Sequence, residues 1–107
     1  MKEYWNKILK FNDKNFPNWR QQVKGITSSV YFSNALAGEV GEICNMTKHM
    51  VGGGTNRHEV NRFDLALEIV DVFIYLVLLT EGIGFGLQEF DIAFNDKLRE
   101  LDKRLKK

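Results

Sequence analysis

Apolar residues along this chain recur at helical spacing, every three or four positions, and nowhere alternate as in a half-buried strand. Residues 2–14 carry Trp5, Ile8, Leu9 and Phe11 near one side and predict a short helix. Residues 15–22, with Phe16, Pro17 and Trp19, read as a turn or a helical extension, and residues 25–29, Gly-Ile-Thr-Ser-Ser, as a loop. A second helix is predicted over 29–50. The Gly52-Gly53-Gly54 break follows it. A third helix is predicted over 57–81, with Asn56 as N-cap and Glu59 completing a capping box. The run from Gly82 to Gly86 lacks the strand before it and the Lys-Ser/Thr after it that a phosphate loop needs, so it reads as a helix–helix turn. The fourth helix is predicted over 87–105. Leu87, Phe90, Phe94, Leu98, Leu101 and Leu105 share a stripe, and basic residues crowd its C-terminal half, where the helix dipole favours them. The class expected is all-α, a four-helix bundle with short turns.

Length then sets the scale. The chain has 107 residues, one domain at roughly 100–200 residues per domain. Lys and Arg number 15 against 14 Asp and Glu, so nothing in the charge balance points to a nucleic-acid polymer as partner. The single cysteine, Cys44, excludes an intramolecular disulfide and a multi-cysteine zinc site, and its apolar neighbours predict a buried thiol. The longest apolar run, Val72 to Leu79, falls far short of the ~20 residues that span a bilayer. No signal-peptide pattern opens the chain. The expected location is the cytoplasm, with no membrane partner.

The chemistry concentrates in two pairs of acids. On the second helix Glu39 and Glu42 stand three apart, sharing their sector with Ala35 and Met46. On the third, Glu68 and Asp71 are the only charges between Leu65 and Leu79, and Tyr75 falls on their side. A helix apolar nearly all round is buried on more than one side, and carboxylates there are costly to ionise unless paired. One such pair is ordinary solvated surface. Two pairs on consecutive long helices converge if those helices pack antiparallel, and four acids together ionise only around a cation. All the ligands are hard oxygens, and no histidine stands at Glu-x-x-His spacing with them. That disfavours di-iron and suits Mg²⁺ or Mn²⁺, hence metal-assisted phosphate chemistry.

These residues carry a family resemblance. Leu36-Ala37-Gly38-Glu39-Val40-Gly41-Glu42-Ile43, followed by Leu67-Glu68-Ile69-Val70-Asp71-Val72-Phe73-Ile74-Tyr75-Leu76, resembles the E-x-x-E…E-x-x-D pattern of the MazG-like nucleoside triphosphate pyrophosphohydrolases. The resemblance covers about residues 34–105. It implies an all-α domain over the whole chain, 1–107, assembled as a homodimer or homotetramer with the site near the subunit interface. Mg²⁺, or Mn²⁺, would be held by Glu39, Glu42, Glu68 and Asp71. A nucleoside triphosphate would be cleaved between its α- and β-phosphates to monophosphate and pyrophosphate, a house-cleaning reaction on the nucleotide pool. Glu42 is the chosen general base. Tyr75 is expected toward sugar or phosphate, Asn95, Lys97 and Arg99 toward the phosphates, and Asn34, at the start of the motif helix, as a lining residue of the pocket. His49, seven residues after Glu42, returns to the carboxylate face and is expected near the nucleotide. Trp5, Trp19, Tyr31 and Phe32 are candidates to stack on the base, with Trp19 preferred. Two alternatives stand beside this reading: a phosphoribosyl-ATP pyrophosphatase-like enzyme, and a non-catalytic helical interaction protein with a structural cation site.

Overall fold

A computed structural model describes residues 1–22, 25–51 and 60–106. The described residues form helices and turns with no strand: α1 (Lys2–Asn15), α2 (Trp19–Gln22), α3 (Gly25–Val51), α4 (Arg62–Gly82) and α5 (Leu87–Leu105). The all-α class therefore holds. Pro17 disfavours helical backbone at the residue before it. Phe16 accordingly leaves the helix at φ −135° and ψ 67°, ending α1, while its N–H still donates to Asn12 O. Trp19 N–H then donates to Phe16 O at 2.9 Å, closing a turn that folds α2 back.

Residues 25–29 depart from the expected loop and belong to α3. Gly, Thr and Ser are weak helix formers, and here tertiary packing outweighs propensity. Ser28 is fully buried against Gly82 at the end of α4, where a Cβ would collide with the Ser28 hydroxyl and press on the Phe32 ring at 3.3 Å. The missing side chain lets α3 and α4 approach closely. Gly82→Ala should lower stability by about 1–3 kcal/mol, the usual cost of overpacking, seen as a reduced thermal midpoint. Ser28→Ala should be neutral or stabilising, since the buried hydroxyl has no hydrogen-bond partner among the described residues.

The two long helices run antiparallel, with Ser28 beside Gly82 at one end and Glu39 beside Glu68 and Asp71 further along. The start of α4 is Arg62, later than expected. Its cap is Asn61, whose side chain accepts from Phe63 N–H at 2.8 Å and Asp64 N–H at 3.3 Å. The predicted box at Asn56 and Glu59 lies outside the described residues. The Gly82–Gly86 segment is the expected turn. Phe85 N–H returns to Thr80 O, and Gly84 takes φ 89°, the left-handed region that a side chain resists. Glu89 then reaches back to accept from Gly86 N–H at 3.1 Å, which fixes the start of α5.

The core gathers where α1, α2, α3 and α4 meet. Trp19, Phe32 and Leu78 are buried, with Ile8, Leu9, Ile74, Tyr75 and Leu79 packed around them. Glu81 ties this end together: its carboxylate meets Arg20 at 3.6 Å and accepts from Trp5 Nε1 at 3.4 Å. Among the described residues the helices form an all-α bundle, as expected, but its last helix, α5, is left largely open. Phe90 sits on Trp5 with ring centroids 5.3 Å apart, but every residue from Asp91 to Lys106 is exposed. The radius of gyration is 17.1 Å, well above the ~13 Å of a compact domain of about 100 residues. Nor is α4 buried all round: Phe63, Leu67, Ile69 and Val70 face solvent, while Val77 is 1% exposed and Ile74 packs into the chain's own core. Cys44, expected buried, is exposed.

Candidate metal centre

Glu39 comes from the middle of α3, and Glu68 and Asp71 from successive turns of α4. Antiparallel packing brings one carboxylate oxygen from each within 4.8 Å of the others, all three residues half-buried. Opposite ligands of a Mg²⁺ ion at ~2.1 Å stand ~4.2 Å apart, so small side-chain rotations suffice to place the three in one coordination shell. The donor set is oxygen-only and carries three negative charges, which fits a hard divalent cation. Glu42, one turn further along α3, is exposed and stands off this group, though near enough for its charge to act on Glu68. The four acids read from the sequence thus divide into three that converge and one beside them.

The crowding has an electrostatic signature. Removal from water, followed by the charges of Asp71, Glu39 and Glu42 and a hydrogen bond with Glu39, holds the Glu68 carboxyl above its ordinary range. A carboxyl raised in the folded state stabilises the fold at low pH. That contribution is lost as pH climbs from the ordinary carboxylate range through the raised value. A divalent cation must displace the Glu68 proton at low pH but meets a charged, repulsive cluster at higher pH. The thermal midpoint gained on adding Mg²⁺ should therefore be larger at about pH 7.5 than at about pH 5. At a concentration near 100 times Kd the gain corresponds to ~2.7 kcal/mol, or roughly 10 °C for a chain of this size. Differential scanning fluorimetry at the two pH values measures it.

Tyr75 stands one turn after Asp71 and joins the acids to an aromatic cavity. Its hydroxyl is pushed above its usual range by burial first, then by Glu39, Tyr31 and Asp71. The cavity, about 200 Å³, is lined by Asn12, Phe16, Trp19, Tyr31, Phe32, Tyr75 and Leu78. Three of the four aromatics proposed from the sequence therefore converge here. Trp5 does not: it is buried against Phe90 on α5. Trp19 is held tightly, with its indole N–H donating to Asp13 at 2.7 Å and the Arg20 guanidinium 4.4 Å over its ring.

The remaining sequence candidates lie elsewhere within one chain. Asn34 is exposed on α3, and His49 is half-buried near the end of that helix, beyond the acids. Asn95 donates back to Asp91 O at 3.0 Å along α5, and Lys97 pairs with Glu100 at 3.5 Å on the same helix. Arg99 pairs with Asp96, also on α5. Apart from Leu78, a core residue of α4, two cavity residues, Asn12 and Phe16, escaped the sequence reading. Neither belongs to a motif, and the only signal near them was the polar stretch that ends at Pro17.

Comparison of the chain with models of protein families, with curated proteins and with solved structures gave no match. No helix among the described residues is long and apolar enough to cross a membrane.

Proposed function

We propose that this chain is a Mg²⁺-dependent nucleoside triphosphate pyrophosphohydrolase of the MazG-like kind, with Mn²⁺ able to replace Mg²⁺. The observation that carries the reading is the meeting of Glu39, Glu68 and Asp71, drawn from both halves of the E-x-x-E…E-x-x-D pattern, beside an aromatic cavity. An acid cluster that takes a cation, next to flat apolar walls, suits a molecule with phosphates at one end and a base at the other.

Glu39, Glu68 and Asp71 would hold the metal, which when bound would supply charge neutralisation at the phosphate oxygens and polarisation of the scissile phosphorus. Glu42, exposed beside them, orients a water and takes its proton. The new P–O bond forms as the bond between the α- and β-phosphates breaks, leaving monophosphate and pyrophosphate. Tyr75 lies between the acids and the cavity, where its hydroxyl can hold the sugar or a phosphate. Phe16 and Tyr31, both exposed at the cavity, offer faces for the base. The proposed role is the removal of unwanted or excess nucleotides in the cytoplasm.

The assembly proposed is a homodimer or homotetramer. Phe94, Leu98 and Leu105 on α5, with Phe63, Leu67 and Val70 on α4, are large apolar side chains left open by the single chain. A second copy is the cover that symmetry makes available. It is also the route by which Asn95 and Lys97 of α5 reach a site.

The deciding experiment incubates the chain and Mg²⁺ with a panel of nucleoside triphosphates and phosphoribosyl-ATP, and identifies the products. Monophosphate with pyrophosphate supports the reading. Diphosphate with orthophosphate places cleavage at the γ-phosphate and refutes it. Turnover of phosphoribosyl-ATP alone selects the narrower enzyme. Cation binding without turnover of any nucleotide selects a non-catalytic helical protein.

A further inference from the structure

Asn12 is the one polar side chain in the cavity that carries a full amide, and its setting is unusual. It lies on α1 and is 7% exposed, lining the cavity among Phe16, Trp19, Tyr31, Phe32, Tyr75 and Leu78. Its backbone carbonyl accepts from Phe16 N–H, but its side chain makes no hydrogen bond among the described residues. Neither amide atom is among the sealed, unpaired side-chain atoms of the described residues, so the amide keeps access to the space of the cavity. An amide open toward a cavity is free to pair with a group that enters it.

The entering group is defined by the walls and by the amide. Phe32 and Leu78 are buried, and Phe16 and Tyr31 are largely exposed, so the cavity has an apolar floor and aromatic sides open to solvent. That shape suits a flat ring inserted edge-first. The volume of about 200 Å³ lies below the ~300 Å³ at which pockets for drug-sized ligands begin, which favours one ring over two. The amide donates through Nδ2 and accepts through Oδ1, and so needs a ring edge with a neighbouring acceptor and donor. Cytosine has N3 and the N4 amino group; uracil and thymine have O4 and N3–H. Tyr75 is four residues, about 6 Å along the helix axis, from Asp71. A ring in the cavity thus has its 5′ phosphates within reach of the acids.

We propose that Asn12 is a specificity-determining residue, whose amide reads the donor–acceptor edge of a pyrimidine base held in this cavity. The proposal rests on the nucleotide reading given above and deepens it to a substrate class. A site built to hydrogen-bond a ring edge rejects rings that leave its buried polar groups unpaired.

The test separates the cavity from the hydrolysis. Deoxycytidine, thymidine, deoxyuridine, deoxyadenosine and deoxyguanosine are titrated onto the full chain without metal, following tryptophan fluorescence, since Trp19 lines the cavity. At least one pyrimidine nucleoside should bind tenfold or more tightly than either purine. Asn12→Ala should weaken that binding at least tenfold, with circular dichroism and the Mg²⁺-induced thermal shift unchanged. Asn12→Asp, of the same shape but offering only acceptors, should lose it too. In the hydrolysis assay, Asn12→Ala should raise KM for the preferred nucleotide far more than it lowers kcat, and should flatten the preference among bases. Equal or tighter purine binding, no response to any nucleoside, or pyrimidine binding indifferent to Asn12→Ala overturns the proposal. Asn12-dependent pyrimidine binding in a chain that releases no pyrophosphate upholds it and sinks the hydrolase reading. Hydrolysis with a base preference that Asn12→Ala leaves intact does the reverse.

Discussion

Glu68→Gln should abolish pyrophosphate release, lowering kcat/KM by at least ~100-fold, while the chain stays helical by circular dichroism. Glu68 has the most crowded carboxyl of the site: Asp71, Glu39 and Glu42 all act on it, and one of its oxygens belongs to the group within 4.8 Å. An amide of the same shape cannot supply the negative charge a hard cation needs, and lost charge stabilisation in the transition state is worth several kcal/mol. The fold should not suffer, because removing one charge from a repulsive group relieves the others. The Mg²⁺-dependent thermal shift should shrink with the activity. Glu39→Ala and Asp71→Ala should behave alike. Glu42→Ala should lose activity yet retain most of the thermal shift, because Glu42 stands off the three converging carboxylates. A Glu68→Gln chain with wild-type turnover would remove the metal centre from the account.

Leu98→Asp should convert a dimer or tetramer into monomers at micromolar concentration, seen by sedimentation velocity, and activity should fall with it. Leu98 and Phe94 lie on the stripe of α5 that the single chain leaves open, 51% and 54% exposed. Covering such a stripe with a second copy buries apolar area at about 25 cal/mol per Å². A carboxylate in its centre is left unpaired and desolvated, at a cost of several kcal/mol. The monomer itself should keep its helicity, since no core residue is touched and α5 carries its own supporting pairs, such as Lys106–Asp102 at 3.0 Å. Ile74→Asp is a poorer probe of assembly. Ile74 packs against the chain's own core, so that change should unfold the protein outright. A wild-type chain that sediments as a folded, fully active monomer would end the assembly proposal.

The elements were legible to very different degrees. The bounds of α5 coincide with the apolar stripe 87–105, because its start is set by local chemistry at Gly86 and Glu89. The end of α1 follows from Pro17 for the same reason. The start of α3 was illegible: residues 25–29 have loop composition, and Ser28 is helical where it packs, fully buried, against Gly82. Exposure was the weakest inference. Apolar surroundings in sequence made Cys44 and most of α4 look buried, but burial depends on what lies opposite, and among the described residues Val70 and Leu98 stay about half exposed.

By itself the sequence determined the helices, because the 3.6-residue period is a property of neighbouring residues. It also determined the two acid pairs, because three-residue spacing on a helix places both members on one face. Which acids meet was decided by the tertiary structure. The close approach at Gly82 fixes how α3 lies along α4, and that register sets Glu39 with Glu68 and Asp71 while leaving Glu42 outside. The aromatic cavity is tertiary as well. Asn12 and Phe16 reach Tyr75 across some sixty positions of chain, and no local period carries information over that distance, since only the packing of α1 and α2 onto the α3–α4 pair brings them together.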